Sequence, residues 1–284
     1  MSAPDQPPVG GEAAGGGLPA VLTVARLAFR EASRSRLLHA LVGATVFAAL
    51  VSLVLAYGVG DDPERHRKVV CDLSLSAIAL LGTIAAIFLG TSLVAQEVER
   101  RTIYLVLARP VSRAGFVVGK FLGLAGVLAV AVAAMSAGFL VVFALAGGSP
   151  SPAVLAALAG TYLELVIVGA LAILLSVAAH PVEGAVIAFV AALTGHVTAD
   201  LNRLGETLVR EATDATRPLA ELASKGLYVA YVLLPNLENT NLRAHAAHDL
   251  PVSAGHLLGG AAYTAVYATI VVVLATVAFR RRGL

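Results

Sequence analysis

Six long apolar runs constrain this chain more than any other feature. Residues 37–57, 73–95, 116–146, 153–179, 182–199 and 256–279 consist mostly of Ala, Leu, Val, Ile, Gly and Phe, with almost no charge. About 20 such residues in a helix cross about 30 Å of hydrocarbon. In that medium every backbone N–H and C=O must find its partner within the chain, which makes the helix the element for runs of this kind. One soluble core could not absorb them, because 58% of the 284 residues are hydrophobic, 13% are charged, and the mean hydropathy is +0.85. The reading is an all-α, polytopic integral membrane protein with six transmembrane helices.

The placement of Lys and Arg orients the six runs. Arg26, Arg30, Arg34 and Arg36 precede the first run, Arg100, Arg101, Arg109, Arg113 and Lys120 follow the second, and Arg280, Arg281 and Arg282 follow the last. Six crossings put all three groups on one face, which the positive-inside rule makes cytoplasmic. The expected location is therefore the cytoplasmic (inner) membrane, multi-pass, with both termini cytoplasmic. The opposite face receives 58–72, where Asp61, Asp62, Glu64 and Asp72 outnumber Arg65, Arg67 and Lys68, and a long segment, 200–255, that leans acidic. A net charge of +2 is too mild to argue for nucleic acid. The single cysteine, Cys71, excludes a disulfide within the chain and a cysteine metal cluster. It falls at the outer end of the second run.

The flanking segments have their own signatures. Residues 1–19 are rich in Pro, Gly and Ala, with neither a basic start nor an apolar core, and read as a disordered tail ahead of a single domain, 20–284. In 21–36, Arg26, Arg30 and Arg34 recur every four residues while Val21, Val24, Ala25 and Ala28 lie on another side, the pattern of a basic helix on the membrane surface. The plainer alternative is the solvated front end of the first span. In 200–255, Leu201, Leu204, Leu208, Ala212 and Ala215 at helical spacing predict an amphipathic helix before Pro218. The next run, 227–234, is too short to cross and ends at Pro235. It either dips into the outer leaflet, packs on the spans, or forms the core of a small external cap.

Chemistry-bearing motifs are sparse. HExxH, GxSxG and GxGxxG are absent, and 115–121 (GFVVGKF) lacks the glycine spacing and the hydroxyl after Lys120 that a phosphate loop needs, so neither cofactor nor metal is assigned to the chain itself. Gly119, Gly123 and Gly126 instead place small residues on nearly one face of the third run, where they allow close helix approach. A charge at mid-bilayer costs about 2.5–3.5 kcal/mol on insertion scales, which singles out Glu164 in the fourth run. It is read either as a snorkelling or protonated structural carboxyl or as a substrate contact. His196 and Asp200, at the outer end of the fifth run, could pair with each other or with an outer arginine. Together with Glu164 they form the candidate intramembrane or outer polar site. His180 and Glu183 flank Pro181 in the turn between the fourth and fifth runs. His245, His248, His256 and Asp249 gather in the outer segment, but exposed histidine clusters mostly bind nothing specific.

One segment remains: 96–113, QEVERRTIYLVLARPVSR, a dense charge cluster between two apolar runs. It has helical residues in its middle and is stopped by Pro110. It reads as a short helix outside the bilayer on the cytoplasmic face. Orientation alone needs no acids, and the mixture of Glu and Arg points to a contact with a partner.

With the basic helix before the first span, the segment GTSLVAQEVERRTIYLVLARPVSRAGFVVGKFLG (90–123) resembles the ABC-2 type permeases, the membrane subunits of ABC transporters. Glu97, Thr102, Leu107, Pro110, Arg113, Gly119 and Lys120 occupy the family's pattern, and the likeness extends to Gly195-His196, Asp200-Leu201 and 233–237 (LLPNL). It looks closest to the branch of the nitrous-oxide-reductase-maturation and gliding-associated permeases. The resemblance implies a non-catalytic subunit that moves a substrate across or out of the membrane, paired with a second or paralogous permease. A separate ABC ATPase on the cytoplasmic face would hold ATP and Mg and hydrolyse the ATP. The basic helix with Arg26, Arg30 and Arg34 would then be interfacial, and 96–113 the coupling helix. Glu97, Glu99, Arg100, Arg101 and Thr102 would make the docking contact, with Pro110 and Arg113 setting the start of the third span. Two other readings stay open: an assembly factor or mechanotransmitter acting with an ATPase on an extracytoplasmic protein, and an intramembrane enzyme.

Overall fold

Cap residues and prolines show where the helices begin. The structure, a computed structural model, describes residues 17–58, 62–99 and 112–281. Helix α1 spans Leu18–Ser33 and α2 spans Arg36–Gly58. Asp62 Oδ1 accepts the Glu64 N–H at 3.0 Å and starts α3, Pro63–Glu99. Much of the acidic stretch expected to link the first two spans is therefore helix. Ser112 and Ser151 cap α4 (Arg113–Leu145) and α5 (Pro152–Ala178) by accepting the N–H of Gly115 at 3.0 Å and of Val154 at 3.4 Å. Between them Gly147, at φ 77°, adopts the left-handed conformation that closes α4 tightly enough to return. Pro181 opens α6, Pro181–Gly195, in a turn where His180 is the N-cap and Glu183 lies in the first turn.

Among the described residues five helices, α2, α3, α4, α5 and α10 (Ala254–Arg281), are long and apolar enough to cross a membrane. The run expected to be the fifth of six spans forms only the 15-residue α6, about 22 Å long. Its break has a physical cause. The Leu237 N–H donates to the Gly195 carbonyl at 3.0 Å, the Thr198 hydroxyl donates to the same oxygen at 2.7 Å, and a Cβ on Gly195 would lie 2.9 Å from Leu237 and from the Pro235 carbonyl. A returning loop thus takes the hydrogen-bonding capacity that would have continued the helix.

The chain then forms a hairpin of two amphipathic helices, α7 (Thr198–Glu211) and α8 (Arg217–Leu233), packed on each other. The run 227–234 is thus mostly the end of α8, and Tyr228, Val229 and Val232 are exposed on it. A single 3₁₀ turn (Glu238–Thr240) and the short α9 (Arg243–Ala247) follow before α10.

Helix α5 is the centre of the bundle, packed on α3, α4, α6 and α10. Helix α2 lies outside against α3 and α4, with Phe47, Val54 and Leu55 turned outward. Helix α1 packs along α4, where the glycine stripe meets it. A Cβ on Gly119 would lie 2.7 Å from Val24, one on Gly123 2.6 Å from the Ala25 carbonyl, and one on Gly126 3.2 Å from Phe29. The small-residue face read from the sequence therefore has a definite partner. At the same contact Lys120, 1% exposed, points its Nζ at Glu31 Oε2, 3.3 Å away, and over the Phe116 ring. Of the expected disordered tail, residues 1–16 lie outside the described residues, and Leu18 and Pro19 belong to α1.

Candidate functional site

Helix α5 is apolar on nearly all sides, so its one carboxylate stands out. Glu164 is 1% exposed. One turn earlier Gly160 leaves room for the carbonyl of Thr240, which sits where a Cβ would be. That approach lays the loop 235–242 on α5 and α10, where the Asn236 N–H donates to Tyr263 Oη at 2.9 Å and Leu237 is fully buried. It also brings Arg243, at the start of α9, to Glu164, with Nη2 4.0 Å from Oε2. From the end of α6, His196 Nε2 approaches Glu164 Oε1 to 3.0 Å.

The hydrogen bonds assign one proton of the imidazole. His196 Nδ1 is 2.8 Å from the Ala192 carbonyl, which only accepts, so Nδ1 carries a proton. Nε2 lies 3.2 Å from Arg243 Nη2 and 3.0 Å from Glu164 Oε1, so it accepts from the guanidinium when the ring is neutral and donates to the carboxylate when the ring is protonated. Arg243 Nε in turn donates to Asn241 Oδ1 at 2.9 Å. Glu164 lies within ion-pair distance of both groups, with His196 at 3.0 Å and Arg243 at 4.0 Å. The three side chains border a cavity of about 210 Å³ between α3 and α6, walled by Ser76, Leu80, Thr83, Phe189 and Leu193. Ser76 and Arg243 also line a wider depression of about 500 Å³, together with Lys68, Asp72 and His248.

The sequence-derived candidates fall in different places. Glu164 and His196 meet. Asp200 does not join them: it lies on the exposed side of α7, 3.7 Å from Arg203. Arg243 and the glycines that admit its loop were not singled out, because nothing local to Arg243 marks it as a partner of a residue on α5. Arg26 and Arg30 on α1 and Arg34 at its C-cap are all exposed, and the buried side of α1 is Val24, Ala28 and Ala32. Arg113 begins α4 and donates from Nη1 to the Arg280 carbonyl at 3.4 Å, beside the stacked rings of Phe116 and Phe279. The side chains of Glu97 and Glu99, on the last turn of α3, and residues Arg100, Arg101, Thr102 and Pro110 lie outside the described residues. No group of three or more His, Cys, Asp or Glu able to hold a metal occurs among the described residues. Of the outer histidines, His256 Nε2 lies 3.1 Å from the Asn239 carbonyl.

A helical bundle with five membrane-length helices and a carboxylate buried at its centre defines a multi-pass membrane protein. A model of the ABC-2 family transporter proteins matches residues 22–284, and the chain belongs to that family. Membership makes it, in general terms, a permease component that works with an ABC ATPase. No curated protein matches the chain.

Proposed function

We propose that this chain is the membrane-spanning subunit of an ABC-2 exporter of the cytoplasmic membrane, built as a homodimer, in which α6 makes the short fifth of six crossings. A separate ATPase binds ATP and Mg and drives it. The observation that carries the reading is the family match over nearly the whole chain together with five membrane-length helices. The contact of Arg113 with Arg280 supports the orientation, since the start of α4 and the end of α10 share one end of the bundle with the basic helix α1. That end is the cytoplasmic face in this reading, with α1 lying along it and 96–113 joining α3 to α4 there as the coupling helix.

A rigid helix of 37 residues such as α3 is about 55 Å long. It can carry a push from an ATPase at its end through the bundle to the outer loop. The α7–α8 hairpin, amphipathic and packed on itself, favours one alternative, in which the same push acts mechanically on an extracytoplasmic protein. Within the resemblance, the branch of the maturation and gliding permeases accommodates both.

The test is double charge reversal, Glu97→Lys with Arg101→Glu, in membranes containing the cognate ATPase. The expected outcome is loss of ATPase co-purification and of coupled transport. Unchanged binding and unchanged transport would remove 96–113 from the coupling role.

A further inference from the structure

The elbow between α1 and α2 encloses a second kind of space. Helix α1 packs along α4 and scarcely touches α3, which leaves a cavity of about 220 Å³ between the elbow and α3. Its elbow side is polar, with Arg34 and Ser35 in the turn and Glu31 just before them. Its α3 side is mostly apolar: Leu89 and Leu93 are buried, and Phe88 is 48% exposed, so that wall continues onto the outer surface of the bundle. The two charges at the polar side differ in their circumstances. Glu31 is engaged, with Oε2 3.3 Å from Lys120 Nζ. Arg34 has no carboxylate within ion-pair distance among the described residues, and the Ser35 hydroxyl makes no hydrogen bond there. Arg30 and Arg36 are exposed on either side of the turn, so the cations around this cavity outnumber its single carboxylate.

We propose that this cavity binds the phosphate of an anionic phospholipid whose head carries no amine, such as phosphatidylglycerol. The planar guanidinium of Arg34 gives a phosphate two parallel N–H donors, and the Ser35 hydroxyl adds a third. An acyl chain then runs out past Leu89 and Phe88 along α3, where apolar surface is already on offer. Charge selects the head. An ammonium on the lipid would need a free carboxylate, and the one at hand, Glu31, is held by Lys120. A net negative head meets Arg30, Arg34 and Arg36 without that cost. The bound lipid fills the gap between the elbow and α3 and so ties α1 to a helix it does not otherwise hold.

The permease reading assigns this lipid to the inner leaflet, but binding is measured without the ATPase, so the two fail separately. The protein is held in phosphatidylcholine nanodiscs containing a minor fraction of phosphatidylglycerol, and the lipids it retains are counted by native mass spectrometry. Retention of phosphatidylglycerol over phosphatidylcholine is expected, weakened about tenfold by Arg34→Gln. Arg26→Gln removes the same charge two turns away, about 12 Å along α1 and beyond a screening length of about 8 Å, and should change retention by less than about twofold. Ser92→Phe fills the cavity from the α3 side without altering charge and is expected to abolish retention. Equal losses in Arg26→Gln and Arg34→Gln would mean attraction to a basic surface with no site, and would overturn the proposal. So would undiminished retention in Ser92→Phe, or no preference for phosphatidylglycerol. Millimolar inorganic phosphate should leave the lipid in place, and its displacement would assign the site to a soluble phosphate instead.

Discussion

Substituting Gly123 by alanine tests whether α1 is held on α4 by close backbone approach. The new Cβ lands 2.6 Å from both the Ala25 carbonyl oxygen and the Ala28 Cβ and 3.0 Å from the Phe29 nitrogen. None of these atoms can turn away, since two are backbone and the third is fixed to it. Restoring ordinary contact at 3.4 Å requires α1 to move by about 0.8 Å, and a gap of about 0.5–1 Å forfeits a quarter to a half of the dispersion energy across it. Overpacking of this kind costs about 1–3 kcal/mol. The substitution also brings the better helix propensity of alanine, worth about 1 kcal/mol, so the reference is Gly43→Ala on α2, where a Cβ meets nothing within 4 Å. The propensity gain is common to both variants and cancels in the comparison.

With 1.4 kcal/mol per factor of ten, the amides of α1 open about 5- to 150-fold more often in Gly123→Ala than in Gly43→Ala. Hydrogen exchange on the protein in nanodiscs, followed peptide by peptide over 18–33, reads this directly. Equal protection of α1 in the two variants would refute the argument that the stripe positions the helix.

Two further outcomes follow from the outer half of the molecule. Gly160→Ala puts a Cβ on the Thr240 carbonyl, at a cost of about 1–3 kcal/mol. The loop 235–243 should exchange amide hydrogens about tenfold faster or more while α5 stays protected, and unchanged exchange there counts against the loop being anchored at Gly160. Cys71 is 1% exposed, so a membrane-impermeant maleimide should label it only after denaturation and cannot report sidedness. In a Cys71→Ala background, a Ser253→Cys variant should be labelled in intact cells and an Arg34→Cys variant only after lysis, and the reverse pattern inverts the orientation.

Much of this architecture is legible in the sequence because transfer into lipid is local and nearly additive. Runs such as 37–57 and 153–179 carry their own signal in every residue, and Gly119, Gly123 and Gly126 mark a close-packing face by spacing alone. The fifth run shows the limit of that reasoning. Ala185 to Leu193 is apolar throughout, yet its helix stops at Gly195, because the stop is made by Leu237 and Pro235 from about 40 residues further along the chain. Hydropathy cannot see a hydrogen-bond partner at that distance. Asp200 seemed a neighbour of His196 from its spacing, and the turn at Val197 carries it onto another helix.

The sequence by itself determined that this chain leaves water, which segments do so, and which family it joins, since each follows from composition and pattern along the chain. Only the tertiary structure decided what Glu164 faces. Its neighbours His196 and Arg243 lie 47 residues apart from each other, and they meet because Gly160 and Gly195 let a loop come within backbone contact of two helices. Burial of apolar surface is indifferent to which partner supplies it, whereas a buried carboxylate depends on the position and direction of each donor around it, and those are set by how the helices cross.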